Sequence, residues 1–406
     1  MSKMQREKLR PKLRALKKRT ILFWSFILVD EFLHASSELG VLDTLSKRGY
    51  RIFVSVVRSK KRVKEKQGDV NFILLPLRYV PIVTPFLFTL ISIIVFPFFI
   101  IRKKPSYIIV GPGPGILIFL WRPLLNLFKC KVVLDVRSTP VEIVGFRGFL
   151  IRMMFDLSVN VAKRIFDGII TLTEAMKEEL CNSYGIESRF IGVRTSGVST
   201  SMFDPELYDG SLMREKLGLK NKFIVFYHGD FGIYRGLLEA IKSIKLLPRD
   251  YEDVVLFLLG DGPALDSMRK LVDELDLEGK VIIHEPVDYR EVPKYIAMCD
   301  VGLVTLPDIP DWRNQCPLKL LEYLAMEKVV IVTDILANRE IVGENKCGIY
   351  ISSIDPDNVA AAIIHAYKNR DLLNEWGSHG RLIVEEKYDW NKVAEELDIY
   401  LNRLSA

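Results

Sequence analysis

A chain of 406 residues is too long for one core of ordinary size and points to two domains. Its 49% apolar content suffices for sizeable cores and excludes a largely disordered chain. The net charge of +6 hides an asymmetry, +20 over residues 1–166 and −14 over the rest, so one half is suited to a polyanion or an anionic membrane; a solvated lysine-rich face is the plainer alternative.

Residues 1–20 form a basic N-terminal segment with nine Lys or Arg and one Glu, without the apolar core or cleavage site of a secretory signal. "TILFWSFIL" then reads as a strand, "SSELGVLDTLSKRGY" as a helix closed by Gly49, and "RIFVSVV" as a strand. Tyr79–Ile101 follow, 23 residues without a charge, and lead to the buried-type strand "SYIIV". "KVVLDV" and "GIITLT" are further strands, with a helical stretch of roughly 141–166 between them. Beyond "GVSTSMFDPELYDG" the alternation restarts. The strands "KFIVFYHG", "VVLFLLG", "KVIIHEP", "VGLVTL" and "VVIVTD" are interleaved with the helices "GLLEAIKSIKLL", "ALDSMRKLVDELDL", "YREVPKYIAMC" and "PLKLLEYLAM". Short apolar strands alternating with amphipathic helices predict parallel sheets covered on both faces. The fold class is therefore α/β, with two Rossmann-like doubly wound domains, 21–204 and 205–385, and a last helix within 386–406. Ligands of such sheets bind beyond the carboxyl ends of the strands, so the expected site is the cleft between the domains.

Three motifs of the second half bear on that site. "YHGDFGIYRGLLEA" places Gly229, Gly232 and Gly236 between a strand end and a helix start, where backbone and helix terminus can approach an anion and Arg235 can complement a pyrophosphate. "LLGDGPALDSM" repeats the arrangement with Gly260, Asp261 and Gly262, and Pro263 opening a helix; a tight turn is the bland alternative. In "NQCPLKLLEYLAMEK", Pro317 suits the first helical position, which leaves the N–H groups of Leu318 and Lys319 unpaired. Leu318, Leu321 and Ala325 form an inward stripe, and Lys319 and Glu322 share another face. That pair reads either as an ion pair on a solvated helix or as a diphosphate and ribose contact.

With these residues the second half resembles the family-4 retaining glycosyltransferases, which have the two-Rossmann GT-B architecture. "FLLGDGPALDSMRKLVDELDLEGKVIIHEPVDYREVPKYIAMCDVGLVTLP" is similar to their nucleotide-binding core, and "CPLKLLEYLAMEKVVIVTD" to their donor-binding helix and following strand. "DGIITLTEAMKEELCNSYGI", "RTSGVSTSMFDPE" and "YDWNKVAEELDIYLNRL" resemble the end of the acceptor domain, the approach to the linker, and a C-terminal helix that crosses back. The resemblance covers roughly residues 165–400, with weaker support before that. It implies a nucleotide-sugar donor, metal-independent transfer and retention at the anomeric carbon. It gives Glu322 the second glutamate of the family's E-x7-E motif, on the donor ribose, and gives Arg235 the place of a phosphate-binding Lys. Such charges would stabilise the departing nucleoside diphosphate. Three positions depart from the family: Asn314 replaces the first glutamate, Asp230 an arginine, and Glu327 a glycine before the last strand.

In the first half "IIVGPGPGILIFLW" sets Gly111, Gly113 and Gly115 after a buried strand, as an acceptor-binding loop or simply a rigid turn. "LDVRS" offers Arg137 as a phosphate contact and Asp135 as a base for an acceptor hydroxyl, while His34 and His228 read as structural. Cys130, Cys181, Cys299, Cys316 and Cys347 lie far apart with no C-x-x-C pair, so neither disulfides nor a zinc site are expected, and a reducing compartment fits. No metal, cofactor or nucleic-acid partner is expected.

Tyr79–Ile101 is long enough to cross a bilayer. Its basic flanks on both sides, its Pro81, Pro85 and Pro97, and the need to pair "RIFVSVV" with "SYIIV" argue instead for a helix that dips into one leaflet, with Phe88, Ile91 and Phe96 toward lipid. The expected protein is thus a glycosyltransferase peripheral to the cytoplasmic face of a membrane, acting on a polyprenyl-linked or glycolipid acceptor. Its rivals are a soluble enzyme of the same fold, acting on a small molecule or polysaccharide, and a nucleotide-binding module that has lost catalysis.

Overall fold

The computed structural model describes residues 19–25, 28–29, 37–58, 66–67, 69–78, 83–140 and 145–405. Most of the basic N-terminal segment, His34 and Pro81 lie outside them. Strands β1 (Thr20–Trp24), β2 (Leu28–Val29), β3 (Arg51–Arg58), β4 (Lys66–Gln67), β5 (Val70–Arg78), β6 (Tyr107–Val110), β7 (Lys131–Val136), β8 (Gly168–Thr171) and β9 (Ile191–Val193) build the first sheet. Its order is β4-β5-β3-β1-β6-β7-β8-β9, with β2 added to β3, and its pairs are parallel except β4 with β5. Strands β10 (Phe223–Asp230), β11 (Val254–Asp261), β12 (Val281–His284), β13 (Val301–Val304), β14 (Val329–Thr333) and β15 (Gly348–Ile351) build the second, wholly parallel sheet in the order β12-β11-β10-β13-β14-β15. Each sheet reverses direction of strand addition once, beside β1 and beside β10. The crevices at those reversals are where open α/β sheets bind ligands.

The expected first strand is shorter than its sequence suggests. It ends at Trp24, because the Ser25 backbone turns to exchange hydrogen bonds with the Ser55 hydroxyl. Strand β5 was hidden in the sequence by Pro76 and by the apolar run that follows it. "RIFVSVV" and "SYIIV" belong to one sheet, as required, but they flank β1 rather than pair with each other.

The apolar segment forms one helix, Val83–Lys103, uninterrupted by Pro97. Proline lacks the N–H that would bond the carbonyl four residues back. Here that carbonyl, of Ile93, accepts the indole N–H of Trp121 at 3.1 Å instead. Thr84, Phe88, Ser92, Phe96 and Ile100, spaced by four, bury one face against Trp24, whose Nε1 donates to Ser92 Oγ at 3.0 Å. Phe88 and Phe96 are therefore core residues, not lipid-facing ones. The opposite face exposes Phe86, Leu90, Ile94 (75%), Phe98 and Ile101. A second helix, Gly145–Ile165, exposes Phe146 (77%), Phe149, Leu150, Met153 and Leu157. Both helices pack on the 3-10 helix Pro114–Trp121, which itself exposes Leu120.

Two chain crossings join the domains side by side. The Val198 N–H donates to the Tyr388 carbonyl at 2.9 Å, and Thr200 Oγ1 donates to the Asp389 carboxylate at 2.7 Å. The last helix, Trp390–Arg403, then lies against the helix Ser37–Lys47 of the first domain. Its Tyr400 hydroxyl reaches the carbonyls of Ile169 and Phe190.

Candidate active site

The carboxyl ends of β10 and β11 are interlocked turns. A side chain at Gly260 (φ 155°) would place its Cβ 1.9 Å from the Gly229 carbonyl oxygen, and one at Gly262 (φ 159°) would meet the Phe231 backbone at 2.7 Å. The Phe231 N–H donates to the Asp261 carbonyl at 2.8 Å, and the Ala264 N–H to the Phe231 carbonyl at 2.9 Å. Gly260 and Gly262 thus let the two loops touch. Asp261 is exposed, and its carboxylate accepts the Gly262 N–H at 2.8 Å. The helix expected to open at Pro263 begins two residues later, at Leu265.

Gly236 (φ 69°) caps the helix Leu237–Lys245 close against Thr305, whose hydroxyl donates to the Arg235 carbonyl at 3.0 Å. Between Gly232 and that cap, Arg235 stacks its guanidinium 4.3 Å from the Trp312 ring centroid and stands 3.7 Å from the exposed carboxylate of Asp230. Arg235 Nε is buried with no hydrogen-bond partner.

Pro317 is the N-cap, and the helix runs Leu318–Ala325, so the sequence-based start was one residue early. Its first backbone bond is Leu320 N–H to the Pro317 carbonyl; the N–H groups of Leu318 and Lys319 precede it. Leu318 is half-buried, and the inward stripe is instead Leu320, Leu321, Leu324 and Ala325. Lys319 sets its ammonium 3.4 Å from the Tyr227 ring centroid and close against Gly229. Burial, and then the neighbouring Arg235, push its pKa well below the ordinary lysine value, while Glu322 and Asp230 pull the other way. Two cations and a helix N-terminus meet in a poorly solvated spot, an arrangement that suits a diphosphate.

Glu322 is 3% exposed, which overturns the solvated ion-pair alternative. Its Oε1 accepts the Tyr289 hydroxyl at 2.6 Å, and its Oε2 lies 3.1 Å from His228 Nε2. That second contact is poorly aligned for a hydrogen bond. Burial, and then the Glu322 charge, hold the Tyr289 phenol well above its usual pKa. His228 stacks on Phe226 and meets Tyr323 edge-on, and the Tyr289 ring packs against Phe203. The roles of Tyr289, Trp312 and Tyr227 are not evident from the sequence; Tyr227 alone adjoins a glycine-bearing loop there, and the other two reach the site from distant stretches.

Asn314, two residues beyond Trp312, is bonded to the first domain. Its side-chain amide donates to the Glu179 carboxylate of the first domain, and its backbone carbonyl accepts the Thr173 hydroxyl at 2.9 Å. On the first domain, the Gly113 N–H (φ 96°) donates to the buried Ser158 hydroxyl at 2.9 Å, and Gly115 lies in the 3-10 helix Pro114–Trp121. Arg137 sits just past β7, 3.8 Å from Asp135. Asp135 is no base for an acceptor: it is 2% exposed, and the buried Arg194 guanidinium binds both its oxygens at 3.3 and 3.1 Å. Glu327, where the family has glycine, does adopt φ 55°, so the turn carries the strain.

Residues 211–383 match the model of the family described as glycosyl transferases group 1. The second domain is a group 1 glycosyl transferase domain. The chain is 20% identical over 281 residues to an uncharacterized glycosyltransferase of Methanocaldococcus jannaschii, covering 68% of this chain and 69% of that protein. It is 22% identical over 324 residues to the chitobiosyldiphosphodolichol beta-mannosyltransferase of Candida glabrata, covering 73% and 71%. The structure superimposes on that of Anabaena HepE in complex with UDP with a TM-score of 0.71, at 16% identity, over 95% of this chain and 100% of the other. That likeness shows the fold, GT-B, with the transferase domain as its second half.

Proposed function

We propose that the chain transfers a sugar, with retention and without a metal, from a nucleoside diphosphate sugar to a membrane-associated acceptor. The observation that carries this reading is the convergence of Lys319, Arg235 and the helix terminus at Leu318, with the buried Glu322 carboxylate one turn further along. The cations would hold the diphosphate and develop their full effect as it departs, and Glu322 would accept the ribose hydroxyls. Retention follows from the resemblance to the retaining family; Asp135, the base that the sequence offered for an acceptor hydroxyl, is engaged by Arg194.

The membrane part rests on the exposed apolar residues of Val83–Lys103 and Gly145–Ile165, two helices that both pack on Pro114–Trp121 with its exposed Leu120, and on Arg102, Lys103 and Lys104 at the end of the first helix. At about 1.5 Å per residue the first helix is long enough to span a bilayer, but its other face is core, and its ends connect strands of one sheet. Lying in the interface is the arrangement compatible with both. The relative from Candida acts, by its name, on a dolichol-linked acceptor. The test is incubation with UDP- and GDP-sugars and a lipid extract, followed by the anomeric configuration of the product by NMR. No transfer with any donor, or an inverted product, contradicts the proposal.

A further inference from the structure

Glu322 is already engaged at one oxygen by the protein itself. One oxygen takes a short hydrogen bond from Tyr289, and the other faces His228 within a buried aromatic surround. A ribose diol that donates one hydroxyl to each oxygen of this carboxylate meets Tyr289 on one of them. The phenol is mounted on the short turn Tyr289–Glu291, outside any long helix or strand, and its ring leans on Phe203 from the linker side. It can leave Glu322 without disturbing the sheet.

We infer that Tyr289 occupies the position of a ribose hydroxyl on Glu322 and is exchanged for it when the nucleotide binds, which makes it a residue that sets ribonucleotide affinity and specificity. This inference rests on the proposed donor site. Three consequences follow from the geometry. The free protein avoids a buried, unsatisfied carboxylate, which is costly to leave alone. A ribonucleotide replaces the bond it displaces, and so binds more weakly than the same contacts would allow. A nucleotide without the 2′ and 3′ hydroxyls leaves the position open, and Tyr289 stays.

The experiment is calorimetric titration of wild type and Tyr289→Phe with UDP, GDP and 2′,3′-dideoxy-UDP. The variant keeps the ring against Phe203 and removes only the hydroxyl. Loss of a hydrogen bond to a charged group should tighten the preferred ribonucleotide about tenfold, while the dideoxy compound changes less than about twofold. Glu322→Gln is the second variant: it should lose the preference for ribose over dideoxyribose. If the ribonucleotide binds Tyr289→Phe equally or more weakly, Tyr289 is a brace for Glu322 and the exchange is wrong. Equal tightening of ribo and dideoxy compounds also overturns it, because the phenol then blocks the pocket instead of sharing a hydroxyl's place. Absence of nucleotide binding by wild type and variant alike brings down the donor site itself, and the exchange with it.

Discussion

The side-chain amide of Asn314, in the transferase domain, donates to the carboxylate of Glu179, in the first domain. With the Thr173 hydroxyl on the Asn314 backbone carbonyl, and the Glu340 carboxylate accepting the Glu174 N–H at 3.1 Å, it forms a polar seam between the domains. The seam gives a physical reason for the missing glutamate of the E-x7-E motif: a carboxylate at 314 would face Glu179.

Asn314→Glu should therefore open the seam. Two carboxylates in partly buried contact repel by about 2–4 kcal/mol at an intermediate effective dielectric, beyond the loss of the hydrogen bond. The expected result is a lower melting temperature and slower transfer, with both recovered in Asn314→Glu combined with Glu179→Gln. If Asn314→Glu raises activity with Glu179 intact, the seam is not what selected asparagine.

Nucleotide binding should take up protons. Free Lys319 has a depressed pKa, from burial first and Arg235 second, and a diphosphate beside it favours the charged form. The bound state then holds more protons than the free state, so affinity falls as pH rises through the depressed pKa toward the ordinary lysine value. Titrations in two buffers of different ionisation enthalpy measure the uptake. Lys319→Arg, which stays charged, should abolish it; uptake unchanged in that variant would assign the proton to another group.

Pro97 and Trp121 should behave as a coupled pair. Trp121→Phe strands the Ile93 carbonyl, at a cost of about 1–3 kcal/mol. In the Pro97→Ala background residue 97 regains an N–H for that carbonyl, so the same Trp121→Phe change should cost clearly less. Denaturant unfolding of the four proteins gives the coupling energy, and additive effects would remove the compensation argument.

Much of this was legible from the chain, and what was not shares a cause. The glycine-bearing loops, Arg235, Lys319 and Glu322 follow from local rules, because strand ends and helix starts are written in short stretches. The partners of these groups are not. Arg194 on Asp135, Tyr289 on Glu322 and Glu179 on Asn314 join positions far apart in sequence, and each changes what the group is able to do. The apolar helix shows a different limit. When every position is apolar, hydrophobic periodicity carries no information about which face is inside. Phe88 and Phe96 were accordingly assigned to lipid, whereas Trp24, a residue of another element, claims them for the core.

That reassignment sharpens the membrane prediction. Ile94 on the first helix, and Phe146 and Phe149 on the second, are exposed, and none of the three belongs to the buried core. Ile94→Glu with Phe146→Glu should abolish flotation with anionic liposomes, at about 1.5–3 kcal/mol of lost transfer energy per side chain. Nucleoside diphosphate binding should stay within about twofold of wild type, because the proposed donor site belongs to the other domain. Phe88→Glu, by contrast, places a charge against Trp24 in the core and should lower the melting temperature and impair every function together. Raising salt should weaken liposome binding of the wild type, since Arg102, Lys103 and Lys104 border the apolar face. Retained flotation in the double glutamate variant would leave the apolar faces without a lipid role.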